Sequence, residues 1–481
     1  MTIERLFFYP PLAFARLGGS DIPLDCFYWG EDDNSACGTG KTTIMPGRTL
    51  QVSPNGEVSE KIPNQSSVIV FKDGDLFRPV CPFFELHASW VNSDKSRGEG
   101  PVTEELLAAH GGHTLQHLTW DVSVANLKPF HLCQDPDSRI QAHVTLPGAE
   151  VTPTELRGVA PDQAKIPLVP PGRWIPLGSV QLTQPNQAFP ELRLRFTPPK
   201  GSFYGPTNLK QRWRGLKLDD RFLFLNKDSP WCSWWPSDDD RRATPGGQFA
   251  KDSDGSYGMV DDTCDGIISC RFSSAANTAP PDNSQPVLIA YARVVVTPPD
   301  YAPDRRHVVS LADGLKDRVD RAEVFDDQYY ADADLCDSEI QELMRRTFET
   351  VGLTNLDIYN DRVNSLENPF AAITHAIPFR PHEFDAFPPL EASDAWPLPL
   401  TKLAREKHRR FHVLTALKEL LRRYPNLLAR YVRPPLDQNP FFDRRMPVLM
   451  RGSSGDPLEL TRRQYELLTR WAARLTPEPG S

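Results

Sequence analysis

Residues 118–124 read Leu118-Thr119-Trp120-Asp121-Val122-Ser123-Val124, with apolar and polar side chains alternating almost without interruption. Successive side chains of an extended chain point to opposite faces, so the pattern predicts a strand with one dry and one wet face. Leu192-Arg193-Leu194-Arg195-Phe196 carries the same alternation. Working outward, residues 68–77 (VIVFKDGDLF) place Asp73-Gly74 between two apolar runs, a hairpin signal. Residues 287–296 are almost continuously apolar, which predicts a strand covered on both faces. The proline-rich stretch 145–190 reads as long surface connections. Prolines number 47 in 481 residues, about twice the usual share. Proline removes a backbone donor and blocks helix interiors, so the composition favours short strands over a helical bundle.

After about residue 310 the period changes from two to that of a helix. From Ser338, the residues Ile340, Leu343, Met344, Phe348 and Val351 fall on one helical face, with Ser338 and Gln341 as a capping box and Gly352 as the stop. Residues 401–424 place Phe411, Leu414, Leu417, Leu421 and Tyr424 inward. A last helix begins at Thr461, capped with Gln464, and buries Tyr465, Leu468, Trp471 and Leu475. The fold class expected is mainly β with a smaller helical region, an α+β protein. Its parts are a β-rich body (1–310), a helix plus proline-rich linker or arm (311–400) and a helical C-terminal region (401–481).

The formal net charge is −9, which excludes nucleic acid as a main partner, because phosphate binding needs a basic surface. No run of about 18 apolar residues is present, so no membrane-spanning helix is expected. The opening residues, MTIERLFFYPPLAFAR, lack a basic start and a small-residue cleavage site, so they make a poor signal peptide and a cytoplasmic location is expected. The eight cysteines are scattered without a CxxC pair, and ordinary thiols are expected.

Four clusters bear on chemistry. Trp231-Cys232-Ser233-Trp234-Trp235-Pro236 reads as an aromatic corner on the β-body or as a binding platform, since tryptophan is favoured at interfaces. His110, His113 and His117 have H-x2-H-x3-H spacing. On a helix His113 and His117 could hold zinc, but Gly111-Gly112 argue for a turn, so no metal site is expected. Asp252, Asp254, Asp261, Asp262 and Asp265 form an acidic run without EF-hand spacing, read as a turn-rich loop. Cys37-Gly38-Thr39-Gly40-Lys41-Thr42-Thr43 misses the first glycine of a phosphate loop, and Gly452-Ser453-Ser454-Gly455 misses the nucleophile elbow by spacing.

Five blocks carry a resemblance. They are residues 9–20 (YPPLAFARLGGS), 120–128 (WDVSVANLK), 261–266 (DDTCDG), 291–303 (YARVVVTPPDYAP) and 446–475. In this order they resemble blocks of the amino-acid oxidases that carry a cysteine tryptophylquinone, the lysine ε-oxidase and glycine oxidase family. Where that family has Ser in the Asp-rich turn this chain has Cys264, and Ile267 stands for its Pro. The family's "I-K-R-Q-x-x-R-F" motif is replaced by Leu76-Phe77-Arg78-Pro79-Val80-Cys81-Pro82-Phe83-Phe84.

The resemblance implies a β-rich body like that of these oxidases. It also implies that the family's cofactor Cys and Trp would lie beyond Ser481. Amine oxidation needs a two-electron acceptor, which ordinary side chains do not supply. The expectation is therefore a cofactor-free relative acting as a binding, scaffold or assembly protein. The alternative is an oxidoreductase acting on amino acids or amine side chains, with a non-standard site or completed by a partner chain. No cofactor is expected; a tryptophylquinone would require modification of Cys232 and a neighbouring Trp. With the covering segment missing, apolar surface is expected to be exposed around Trp471, and the C-terminal helix is expected to mediate self-association or binding of a protein partner. The expected binding surface is thus Trp231, Trp234, Trp235 and Trp471.

Overall fold

The computed structural model describes residues 2–29, 44–64, 66–212, 217–233, 257–273, 287–299, 307–351, 413–435, 450–451, 456–457 and 459–475. The protein is mainly β, with a smaller helical part. The chain divides into two compact units: Met1–Phe27 with Pro46–Tyr301, and Tyr28–Met45 with Ala302–Ser481.

The first unit is built from strands β1 (Thr2–Tyr9), β2 (Leu12–Arg16), β3 (Phe83–Val91), β4 (Arg97–Pro101), β5 (Leu118–Asn126), β6 (Ile140–Pro147), β7 (Thr154–Gly158), β8 (Ile175–Leu182), β9 (Arg193–Thr197), β10 (Phe203–Pro206), β11 (Leu223–Leu225), β12 (Val260–Asp261), β13 (Asp265–Phe272) and β14 (Leu288–Thr297). A six-stranded sheet runs β1-β3-β9-β8-β7, with β4 also paired to β3. A five-stranded sheet runs β6-β5-β13-β14-β2, with β2 parallel to β14 and the other pairs antiparallel. A small third sheet runs β11-β10-β12. Short helices α1 (Glu104–Ala109), α2 (Lys128–Cys133) and α3 (Pro230–Ser233) join them.

The alternation in β5 does what its sequence demands. Leu118, Trp120, Val122 and Val124 are buried, while Thr119, Asp121 and Ser123 lie on the other face. The Trp120 ring meets Phe8 of β1 at 5.4 Å between centroids, and Phe8 meets Phe84 of β3 edge-on at 6.4 Å, so one core joins residues of both large sheets. Burying side chains of this size contributes on the order of 2–3 kcal/mol each before the entropy cost of ordering them.

Three expectations change here. The run 287–296 is not covered on both faces: Ile289 and Tyr291 of β14 are exposed, Tyr291 at 62 %. Only one face of the five-stranded sheet meets the core, so a continuous apolar run leaves half its side chains outside. The stretch 145–190 is not only loop, because it holds β7 and β8, whose Leu156, Ile175, Leu177 and Val180 are buried. The hairpin near Asp73 exists, pairing Lys72–Asp73 with Leu76–Phe77, but its two-residue turn is Gly74-Asp75, with Gly74 at φ +59°.

In the second unit the described helices include α4 (Leu311–Asp320), α5 (Ala333–Val351), α6 (Val413–Arg423) and α7 (Arg462–Ala473). Ile340, Leu343 and Met344 of α5 pack with Leu417 and Leu421 of α6 and with Leu467, Leu468 and Trp471 of α7. Helix α5 starts five residues before Ser338, so Ser338 is no cap. Its hydroxyl donates to the Leu335 carbonyl, and Asp332 accepts the Leu335 N–H at the true start. Helix α7 begins as expected: Gln464 N–H donates to Thr461 Oγ1 at 3.2 Å and Thr461 N–H to Gln464 Oε1 at 2.9 Å. Gly352, expected to stop α5, and Phe411 lie in the run 352–412, outside the described residues.

Trp471 lies inward, as the helical period of the last helix expects. Trp471 is 5 % exposed, its indole N–H donates to Asp337 Oδ1 at 2.9 Å, and its ring sits in the helical core. The helical pattern that placed Leu468 inward places Trp471 inward too, so the ring is not itself an exposed binding surface. Trp231 is likewise buried, at 1 %. Trp234 and Trp235 lie outside the described residues.

Candidate binding site at the Asp-rich turn

Two of the sequence blocks meet around one turn. At the end of β5, Asn126 is buried and its Nδ2 donates to the Asp261 carbonyl at 2.9 Å and to Asp261 Oδ1 at 3.1 Å. Its Oδ1 accepts the Lys128 N–H at 3.1 Å, tying the start of α2 to the strand. The Lys128 ammonium pairs with Asp261 Oδ2 and donates to Thr263 Oγ1 at 2.7 Å, and the Thr263 hydroxyl donates to Asp261 Oδ1 at 2.8 Å. Asp261 thereby receives three side-chain donors, and the ammonium has a third N–H to offer.

Asp262 faces the other way, into the unit. It is 1 % exposed; its Oδ2 accepts the Ser202 N–H at 2.8 Å, and its Oδ1 is buried without a hydrogen-bond partner. Burial pushes its pKa up to about 7; the Ser202 N–H opposes that rise and the neighbouring Asp261 charge adds to it. Burial, helped by the Asp262 charge, lifts Tyr204 to about 12. Cys264 is buried, with Sγ 3.4 Å from the Leu177 carbonyl, and burial raises its pKa as well. A buried thiol of this kind is a packing group, not a nucleophile.

Gly266 shows why the turn ends in glycine. A Cβ there would stand 2.6 Å from Val124 Cγ1 and 2.8 Å from the Ser123 carbonyl oxygen. Only a residue without a side chain lets β13 approach β5 this closely.

Beside the turn lies a cavity of about 50 Å³, lined by Lys128, Pro129, Leu132, Trp231, Met259, Val260 and Asp261. Its walls are apolar and its polar edge is the Lys128–Asp261 pair. The volume accommodates a few non-hydrogen atoms or ordered waters. Trp231 thus belongs to a candidate site after all, as a wall and not as an exposed platform. The neighbouring Cys232 is buried, with Sγ 3.8 Å from the Gly258 carbonyl. Sequence reasoning had Lys128 and Asp261 in separate blocks and missed their pairing, as well as the role of Met259. The signal available was a polar Asn-x-Lys after an alternating strand, where the alternation predicts no such cluster.

The histidines take a different course. Gly111 and Gly112 turn at φ +95° and +75°, so the three rings do not share a helix. The Ile3 N–H donates to His110 Nδ1 at 3.2 Å and the Thr114 N–H to His117 Nδ1 at 3.1 Å. Backbone N–H groups only donate, so in the neutral rings both Nε2 atoms carry the proton and lack the lone pair a metal needs. His113 stacks edge-on to His117 at 4.6 Å and to Phe272 at 5.0 Å, and burial with the two neighbouring rings lowers its pKa. Among the described residues no cluster of His, Cys, Asp and Glu is arranged to hold a metal ion.

On the open face of the five-stranded sheet, Ser123 Oγ lies 2.8 Å from His143 Nδ1, and His143 Nε2 lies 3.8 Å from Asp121 Oδ1. Asp121 instead takes the Thr145 hydroxyl at 2.6 Å and Arg271 Nη2 at 3.1 Å. These are cross-strand polar pairs on a flat, solvated surface. The His143–Asp121 separation of 3.8 Å is too long for a hydrogen-bonded catalytic relay. Asp252, Asp254, the phosphate-loop-like residues 37–43 and the residues 452–455 lie outside the described residues.

No family model matches the sequence, and no curated protein matches it. Solved structures of the L-Lys ε-oxidase from Marinomonas mediterranea are similar in fold. One, a Schiff base intermediate with L-Lys, has a TM-score of 0.44 at 13 % identity, and another a TM-score of 0.42 at 14 %. Each match covers 99 % of this chain and 62 % of the oxidase chain, so this chain spans under two thirds of the length of those proteins. At these scores the likeness concerns the course of the chain alone and says nothing of activity. No described helix is long and apolar enough to cross a membrane.

Proposed function

We propose that this chain is a distant relative of the quinone-dependent amino-acid oxidases that works as a binding protein, with its site at the cavity beside the Asp-rich turn. One observation carries the reading. The blocks WDVSVANLK and DDTCDG, far apart in sequence, meet through Asn126, Lys128, Asp261 and Thr263, and the cavity opens against that meeting point. The other two matching blocks of the first unit supply β2 and β14, so all four lie on adjacent strands of one sheet. The chemistry at the cavity favours a small ligand with a short apolar body and one hydrogen-bond acceptor for Lys128. The nearby charges already balance, so a neutral acceptor or a zwitterion fits better than a bare cation.

The test combines a visible spectrum, peroxide release and thermal shift on one preparation, using lysine, glycine, short alcohols, amides and monocarboxylates. A binding protein shows no quinone band, releases no peroxide and melts higher with at least one compound. A quinone band with peroxide release from lysine or glycine establishes the oxidoreductase alternative instead. No shift with any compound overturns the binding reading.

A further inference from the structure

The turn that borders the cavity is held by a carboxyl group whose partners are incomplete. Asp262 sits between the third small sheet and the five-stranded sheet: Val260 and Asp261 pair with β10, and Asp265 opens β13. A hydrogen bond from the Ser202 N–H to its Oδ2 fastens the entry of β10 to the turn, and the backbone of Gly201 and of Asp262 itself also favours the charged form. Its second oxygen is buried without a hydrogen-bond partner, next to a residue that is itself an ion-paired carboxylate. A neutral carboxyl tolerates this position, whereas a carboxylate there is desolvated and stands beside a like charge.

The groups around it offer little relief. Asp261 adjoins it on its own strand, and Lys128 of α2 is committed to Asp261 and Thr263. Tyr204 faces it from β10, with Arg221 and Glu155 acting on that phenol, while Cys264 and Asp265 follow along the turn. Lys200, near Ser202 in sequence, pairs outward with Asp21.

We propose that residues 261–265 form a proton-operated latch: neutral Asp262 keeps Ser202 and the turn docked, and its ionisation beside Asp261 loosens them and opens the adjoining cavity. Val260 and Asp261 line that cavity and are joined directly to Asp262, so movement of the turn alters the cavity wall. The latch does not depend on which ligand the cavity takes, or on whether it takes one.

Hydrogen exchange across pH tests it. Protection of the Ser202 amide and of residues 257–266, corrected for intrinsic exchange, should fall by up to about tenfold for each pH unit between about 4 and the Asp262 midpoint at about 7, and level off above it, where docked and open turns are both ionised. Protection in β5 should stay constant. In Asp262→Asn the loss should vanish. Should that variant fail to fold, Asp261→Asn serves in its place: it removes the neighbouring charge and should move the midpoint to lower pH. Wild-type protection that does not change with pH, a transition that persists in Asp262→Asn, or a midpoint unmoved in Asp261→Asn would overturn the latch.

Discussion

At pH 8 Asp262 holds a charge that its surroundings do not want, and this gives the most direct residue-scale prediction. Its folded pKa is raised from 3.8 to about 7. Below pH 4 the group is neutral in folded and unfolded chains and costs nothing. Between 4 and 7 the unfolded chain ionises while the folded one resists, so the penalty grows with pH and is complete above 7. Asp262→Asn should therefore be neutral near pH 4 and more stable than wild type by roughly 2–4 kcal/mol at pH 8. Urea melts at the two pH values check this, and a stability difference independent of pH would contradict it. Gly266→Ala should cost at least about 2 kcal/mol, because its Cβ would be driven into a strand backbone that cannot yield. The sequence showed Asp262 only as one of several aspartates. Nothing in an acidic run says which member turns inward, since that depends on a strand, β10, that lies 60 residues earlier in the chain.

Elements were easiest to read where one period governed them. The alternation of β5 and β9 and the capping pair of α7 survive unchanged, because each rests on contacts within a few residues. Thr461→Ala should cost about 1 kcal/mol through the lost cap. Trp471→Ala should cost about 3–5 kcal/mol and lower helical content, measured by circular dichroism during denaturation, because the ring is core. A Trp471→Ala chain of unchanged stability but altered association would contradict this and favour an interface role for the ring. The misread elements share one cause. Whether the second face of β14 is covered depends on what packs there, and apolar composition does not report it. Proline frequency hid β7 and β8, because prolines such as Pro176 can sit inside a strand where no ladder bond is asked of them.

For the molecule as a whole, the informative fact is the arrangement of the sequence blocks. Residues from four of them, with directly paired residues as far apart in the chain as Leu12 and Arg293, line up as β5, β13, β14 and β2 of one sheet. Their glycines and charged residues have structural reasons: Gly18 lies where a Cβ would stand 2.5 Å from Pro79 N, and Lys128 and Asn126 clamp the Asp-rich turn. A resemblance carried by such residues is first a resemblance of scaffold, and a scaffold does not fix an activity. The claim that the scaffold binds a small ligand beside Lys128 is tested most directly by calorimetric titration. The compound giving the largest thermal shift should be titrated into wild type and Lys128→Met. The account predicts saturable one-to-one binding in wild type, weakened at least about tenfold in the variant by loss of a charged hydrogen bond of about 1.5–3 kcal/mol. Equal affinity in the two proteins would contradict it.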